Sequence, residues 1–268
     1  MKKILVAMAA FAALIGTPAL AADMPVKAAP LPAPLCVWCG WYIGVNAGWV
    51  GPSDASFRNT GSDTDGGGLG NALATAAIPG TVTNNNMNGF IGGGQIGYNW
   101  QTGIMVVGLE ADFDGVSDKN TINLVFPGSG ASAPFTTTYT HQLDWLSTFR
   151  GRLGVTVSPD FLIYFTGGVA VGEVKTGNSF ICPTCGPSTS TEPSTTSANT
   201  ATRAGIVIGL GAEWMVAPHW SIKAEYLYAD LGSTNSTIVY TYGPNTSSLT
   251  STVHNNYNIA RGGVDWHF

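Results

Sequence analysis

From Ala260 to Phe268 the chain alternates with a period of two and stops on an aromatic residue. Ala260, Gly262, Val264, Trp266 and Phe268 fall on one face, and Arg261, Gly263, Asp265 and His267 on the other. Successive side chains of an extended backbone point to opposite sides, so this is a strand with one apolar and one polar face. Asn258 breaks the alternation, which places Asn256 to Asn258 at or beyond the edge of the apolar surroundings.

Seven further segments carry the same period. Trp41, Ile43, Val45, Ala47 and Trp49 alternate with Tyr42, Gly44, Asn46 and Gly48. Residues 88–100 put Phe90, Ile96, Tyr98 and Trp100 on the apolar face, with Gln95 and Asn99 opposite. Residues 105–114 oppose Met105, Val107, Leu109, Ala111 and Phe113 to Glu110, Asp112 and Asp114. Residues 144–157 oppose Trp145, Phe149, Leu153, Val155 and Val157 to Arg150 and Arg152. Strands follow at 161–172, at 203–216 with Glu213 on the polar face, and from Trp220 with Lys223 and Glu225.

The polar faces hold charges and the apolar faces hold large side chains, so the apolar side must meet lipid. A soluble barrel has the reverse polarity. The expected fold is all-β, an eight-stranded antiparallel up-and-down transmembrane β-barrel over residues 41–268. After the N-terminal segment no run of about 18 apolar residues offers a helical span. Three connections are tight (101–103, 158–160, 217–219) and four are long and polar (about 50–87, 115–142, 175–202, 231–255). Outer-membrane barrels keep short turns in the periplasm and long loops outside, which would leave both termini periplasmic. Seven of the eight tryptophans fall at outward strand ends, as girdles at two membrane interfaces would require.

Lys2 and Lys3, an apolar core from Ile4 to Ile15 and the small-residue site Ala19-Leu20-Ala21 read as a signal peptide over residues 1–21. Residues 22–40 then form a periplasmic leader whose prolines, Pro25, Pro30, Pro32 and Pro34, cannot join a sheet. Removing residues 1–21 leaves nine basic residues against sixteen acidic ones, a formal charge of −7, which argues against nucleic acid as a partner. The cysteines form two CxxC pairs, Cys36/Cys39 and Cys182/Cys185. In an oxidising compartment each pair suits a local disulfide. A zinc site shared by all four would need to bridge about 25 Å of hydrocarbon, because the pairs fall on opposite sides of the barrel.

The sequence Ala22-Asp23-Met24-Pro25, the strand Trp41-Tyr42-Ile43-Gly44 with Asn46 and Gly48, the run Thr166-Gly167-Gly168-Val169-Ala170 and the final Arg261 to Phe268 resemble the small outer-membrane immunogenic proteins of the OmpA-like porin superfamily. The resemblance implies a barrel inserted by the outer-membrane assembly machinery, abundant and antigenic. Trp266 and Phe268 would then serve as the C-terminal assembly signal. The expected function is structural, as a monomeric surface antigen in outer-membrane lipid. A small diffusion porin is the alternative, and an outer-membrane hydrolase a distant third. What the outer loops bind is not written in the sequence.

Candidate chemistry outside the lumen is thin. Gly92 to Gly97 contains GxGxxG, but no helix follows, so these glycines make room for bulky neighbours or bend the sheet. His141, Asp144 and a loop serine would be the hydrolase constellation, in a chain where loop serines are abundant. Neither cofactor nor metal is expected. The inward charges carry more. Glu110, Asp112, Glu213, Glu225 and Asp265 oppose Arg150, Arg152, Lys223 and Arg261, while Asp114 lies at the outer rim. Side chains just fill so narrow a lumen, and near-balanced charges within it suggest a plug. Strand levels pair Glu213 with Lys223, Glu225 with Arg261, and Glu110 with Arg150 and Arg152.

Overall fold

The computed structural model describes residues 36–53, 56–64, 80–83, 88–127, 134–181, 194–242 and 245–268. The signal peptide, the leader up to Leu35 and the Cys182/Cys185 pair lie outside the described residues.

Ten strands are present among them: β1 (Gly40–Pro52), β2 (Ser56–Asp63), β3 (Thr81–Thr83), β4 (Gly89–Thr102), β5 (Met105–Phe126), β6 (Phe135–Ser158), β7 (Phe161–Ile181), β8 (Ser194–Ala217), β9 (Trp220–Tyr242) and β10 (Asn245–His267). The sheet runs β1-β4-β5-β6-β7-β8-β9-β10, and β1 pairs back onto β10 to close a ring. Neighbours are antiparallel, and closure joins Tyr42 to His267 and Pro52 to Tyr257. The described residues thus hold ten strands where eight were expected. The extra strands come from the first polar segment, where β2 adds to the far end of β10 from Phe57↔Val253 to Ser247↔Asp63 and β3 adds to β2.

The other three polar segments are also corrected, because most of their length is strand. β5 to β10 each span 21 to 24 residues, about twice the ~9–11 that cross a bilayer. These extensions read as loops because their outward face is polar. Strand pairing needs a period of two and an inner face to bury, not an apolar outside. Leu249, Ile238 and Tyr139 supply that inner face.

Three register shifts mark where the outer face changes character. They fall between Gly115 and Asp118 on β5, Leu143 and Trp145 on β6, and His254 and Asn256 on β10, and two more lie beside tight turns, at Thr156/Ser158 and Met215/Ala217. Such bulges re-aim side chains and increase local twist. Beyond the first three the ring parts. Pairing of β8 with β9 stops at Ile206↔Asp230, and β5 beyond Ser117 pairs with β6 alone. The extension is thus two facing sheets, β5-β6-β7-β8 and β9-β10-β2-β3. Asn178 joins them by donating to Ser251 Oγ (3.2 Å) and accepting from Ser236 Oγ (2.7 Å), and Asn59 donates to Tyr139 Oη at 2.9 Å. Phe57, Val82, Tyr139 and Val253 form a small apolar core between them.

Below the bulges every ring strand presents a row of large apolar residues outward. Val107, Leu153 and Ile208 are 47%, 52% and 46% exposed in mid-strand, in an all-round apolar band that only lipid would cover without penalty. Replacing any one of these three with Arg should cost about 2–4 kcal/mol near the bilayer midplane. Reversible unfolding in lipid checks it, and three unchanged stabilities would mean that the two faces are exchanged.

Candidate functional site

The interior of the ring is filled in layers, and the inward residues of β10 mark them in order. His267, Asp265, Arg261, Ile259, Tyr257, Asn255, Val253, Ser251 and Leu249 are all buried. Ion pairs come first, an apolar layer next, and a hydrogen-bonded layer last.

At the end bearing the tight turns, Trp38 lies fully buried against Val106, Leu162, Tyr164 and Met215. Its indole Nε1 donates to Pro159 O at 3.0 Å, and its backbone N–H donates to Gln101 Oε1 at 3.1 Å. Cys36 and Cys39 on either side are disulfide-bonded. Trp38 was the one tryptophan without a place in the sequence-derived girdles.

Above Trp38 rises a column of rings and cations. The indole meets His267 edge-on at 5.9 Å, and His267 stacks on Tyr42 at 5.4 Å. The Arg152 guanidinium then lies between the rings of Tyr42 (4.9 Å) and Tyr164 (4.8 Å). Both tyrosines need glycine on an adjacent strand, since a methyl group at Gly97 would overlap the Tyr42 ring and one at Gly211 the Tyr164 ring. Gly97 belongs to the glycine run of β4, where the room is steric in purpose.

The expected charges all face the lumen and are buried, and Asp114 joins them. Arg150 pairs with Glu110, with Asp112 at 2.8 Å and with Glu225 at 3.4 Å. Arg261 pairs with Asp114 at 2.7 Å, and with Asp112 and Glu225 at 2.9 Å each. Arg152 pairs with Glu213 at 3.0 Å and Glu110 at 3.6 Å. Tyr42 and Tyr164 complete the shell, their hydroxyls donating to Glu110 and Glu225 at 2.7 Å each.

One expected pair is redirected. Glu213 and Lys223 are register partners, but Lys223 Nζ donates to Glu110 Oε2 at 2.8 Å, with Asp265 at 3.8 Å. Glu213 instead accepts from Arg152 and from Ser221 Oγ at 2.6 Å, and meets His267 Nε2 at 3.2 Å. Long side chains reach across the lumen to the best partner rather than sideways to the nearest strand. Gln95 reaches Asp265 in the same way. The sequence flagged Glu110, Asp112, Arg150, Arg152, Glu213, Lys223, Glu225, Arg261 and Asp265, but placed Asp114 too high and gave Tyr42, Tyr164, Gln95 and Ser221 no role.

The next layer is apolar. Val50, Ile91, Leu146, Ala170, Val207, Leu227, Tyr257 and Ile259 belong to one buried cluster, with Val116 packed against it. All eight ring strands contribute to it. Together with Trp38 it encloses the ion pairs from both ends.

Among the described residues His141 and Asp144 have different partners. His141 is buried in the extension, its Nε2 3.1 Å from Asn255 Oδ1 and 3.3 Å from the Tyr257 hydroxyl. Asp144 lies at the β6 bulge, bound by Lys175 and Gln142.

The model for the outer membrane protein beta-barrel domain matches residues 7–268. The chain belongs to that family. It is 35% identical to the 31 kDa outer-membrane immunogenic protein of Brucella melitensis, over 98% of this chain and 99% of the relative. It is 31% identical to a 22 kDa outer membrane protein of Rhizobium leguminosarum over 53% of each chain. Among solved structures it matches the outer membrane protein OprG of Pseudomonas aeruginosa at 14% identity and a TM-score of 0.41, over 86% of this chain and 97% of that one. Family members reside in the outer membrane, and so does this barrel.

Two titrating groups of the extension act in opposite senses. Burial lowers the His141 pKa from its ordinary 6.5, against the Asn255 hydrogen bond that raises it. Below pH 6.5 the unfolded chain takes up a proton that the folded chain refuses, so His141 costs the extension up to about 1.4 kcal/mol per pH unit. Burial raises Asp118 to about 6, against the pull of Asn120. Its folded form takes a proton first, so Asp118 adds stability as pH falls from about 6 toward 3.8. His141→Gln should therefore lessen the loss of stability on acidification, whereas Asp118→Asn, neutral at every pH, should stabilise the extension near neutral pH and abolish its gain on acidification. Amide hydrogen exchange on the upper halves of β5 and β6, at neutral pH and at about pH 5, checks both; equal responses would contradict the assignment.

Proposed function

We propose that this protein is a structural barrel of the outer membrane whose lumen is closed to solutes and whose two-sheet extension is a surface antigen. The observation that carries the reading is the filled interior: Trp38, the ion pairs and the apolar layer lie in series along one axis. A conducting path would have to break all three. The immunogenic name of the Brucella relative supports the antigenic part.

On this reading the tight turns, Trp38 and both termini face the periplasm, and the extension faces outward, as short-turn ends do in such barrels. Residues 1–21 are a signal peptide, and Trp266 and Phe268 are the signal read by the assembly machinery. The barrel is a monomer in lipid. External partners would meet the extension, whose outward strand faces are mostly polar, with Val125 and Val239 exposed among them. No catalytic role is part of this reading.

The test is electrical and thermodynamic together. The wild-type protein should show little steady conductance in a planar bilayer. Arg261→Ala should leave Asp112, Asp114 and Glu225 short of a cation, cost about 3–5 kcal/mol and leak. A large, stable wild-type conductance with stability indifferent to Arg261 would favour a small diffusion porin instead.

A further inference from the structure

Trp38 reaches the lumen because the chain before β1 is bent across the mouth of the ring. Gly40 has φ 108°, in the left-handed region that disfavours a side chain, and turns the backbone away from β1. The Cys36–Cys39 disulfide, with Cα atoms 5.4 Å apart, ties residues 36–39 into a single turn. That turn is anchored at Gln101, next to β1, and at Pro159, in the β6–β7 connection. In the ring order β6 and β7 lie opposite β1, so the turn is a strap over the opening. Cys36 is exposed and Cys39 half-buried, whereas Trp38 between them is fully buried.

We propose that this strap is a redox latch, with the Cys36–Cys39 disulfide as the substrate of a periplasmic protein dithiol. A thiolate of that dithiol attacks the exposed Cys36 sulfur, and the S–S bond breaks with Cys39 leaving as thiolate. The second thiol of the reductant then attacks the mixed disulfide and releases Cys36. Two electrons pass to the strap, its sulfurs take up the two protons, and the reductant departs as a disulfide. Oxidised, the four-residue turn holds its shape and Trp38 loses little freedom on seating. Reduced, the turn gains many conformers, and the unseated population rises roughly tenfold or more. The latch opens the mouth only, since the ion pairs and the apolar layer lie above it. It rests on the proposed orientation for its periplasmic reductant, and on the closed lumen for nothing.

The experiment uses the full chain in lipid, labelled with 5-fluorotryptophan and carrying Cys182→Ser and Cys185→Ser, so that one disulfide responds. The fluorine resonance lost in Trp38→Phe is that of Trp38. On adding dithiothreitol this resonance should move toward its solvent-exposed position and gain a solvent isotope shift, then return on reoxidation while the other tryptophans stay fixed. An unmoved Trp38 resonance, with both thiols shown free by mass spectrometry, would overturn the latch. Steady conductance of the oxidised protein with Trp38 seated would sink the closed-lumen reading alone.

Discussion

Charges held in a narrow, lipid-wrapped ring have little water to turn to, so they must satisfy one another, and the membrane half of this protein is built on that condition. Arg150 on β6 and Arg261 on β10 each bind carboxylates from both β5 and β9. These cations tie walls that share no backbone hydrogen bonds. The cross-section of the ring is thereby fixed by side chains as well as by the ladder. Tyr42 and Tyr164 follow from the same condition, because each brings a hydroxyl to a shared carboxylate and a ring to Arg152. Gly97 and Gly211 follow in turn, because rings of that size leave no space for a neighbouring side chain.

Much of this was legible in the sequence. Alternation with a period of two separated the lipid face from the lumen face on seven of the eight ring strands, since the two sides meet opposite solvents. The nine inward charges were legible for the same reason. The redirected Lys223 was not, because level along a strand constrains neighbours and says little about reach across a ring. Asp114 was set aside at the rim since nothing in the sequence says that Arg261 extends up to it. The apolar layer was hidden for another reason: Val207 and Leu227 sit at inward positions between outward residues that are apolar or aromatic themselves, Ile206 and Ile208 in one case and Tyr226 and Tyr228 in the other, so no polar face marks the run. Trp38 was missed because it precedes the first alternating segment and follows a proline-rich one.

The long polar segments were the larger misreading. Their alternation is of threonine and serine outside against scattered Leu, Ile and Tyr inside, a pattern weaker than that of the membrane half. Loss of the apolar outer face hides a strand that continues. The bulges on β5, β6 and β10 show what happens at that level: pairing continues, but each strand is re-aimed and the ring divides into two sheets with a core of their own.

Closure of the ring has a cost in time. β10 pairs with β9, its neighbour in sequence, but also with β1 and β2, and Tyr42 meets His267 across nearly the whole chain. Contacts so distant in sequence can form only after a long loop has been gathered, which slows folding and lengthens the life of unfinished states. Until β10 arrives, β1 and β9 present bare edges that invite pairing with another chain. One strand therefore ends the period of exposure for the barrel and the extension together. Assembly of this protein is limited less by the strength of any contact than by how long those edges wait.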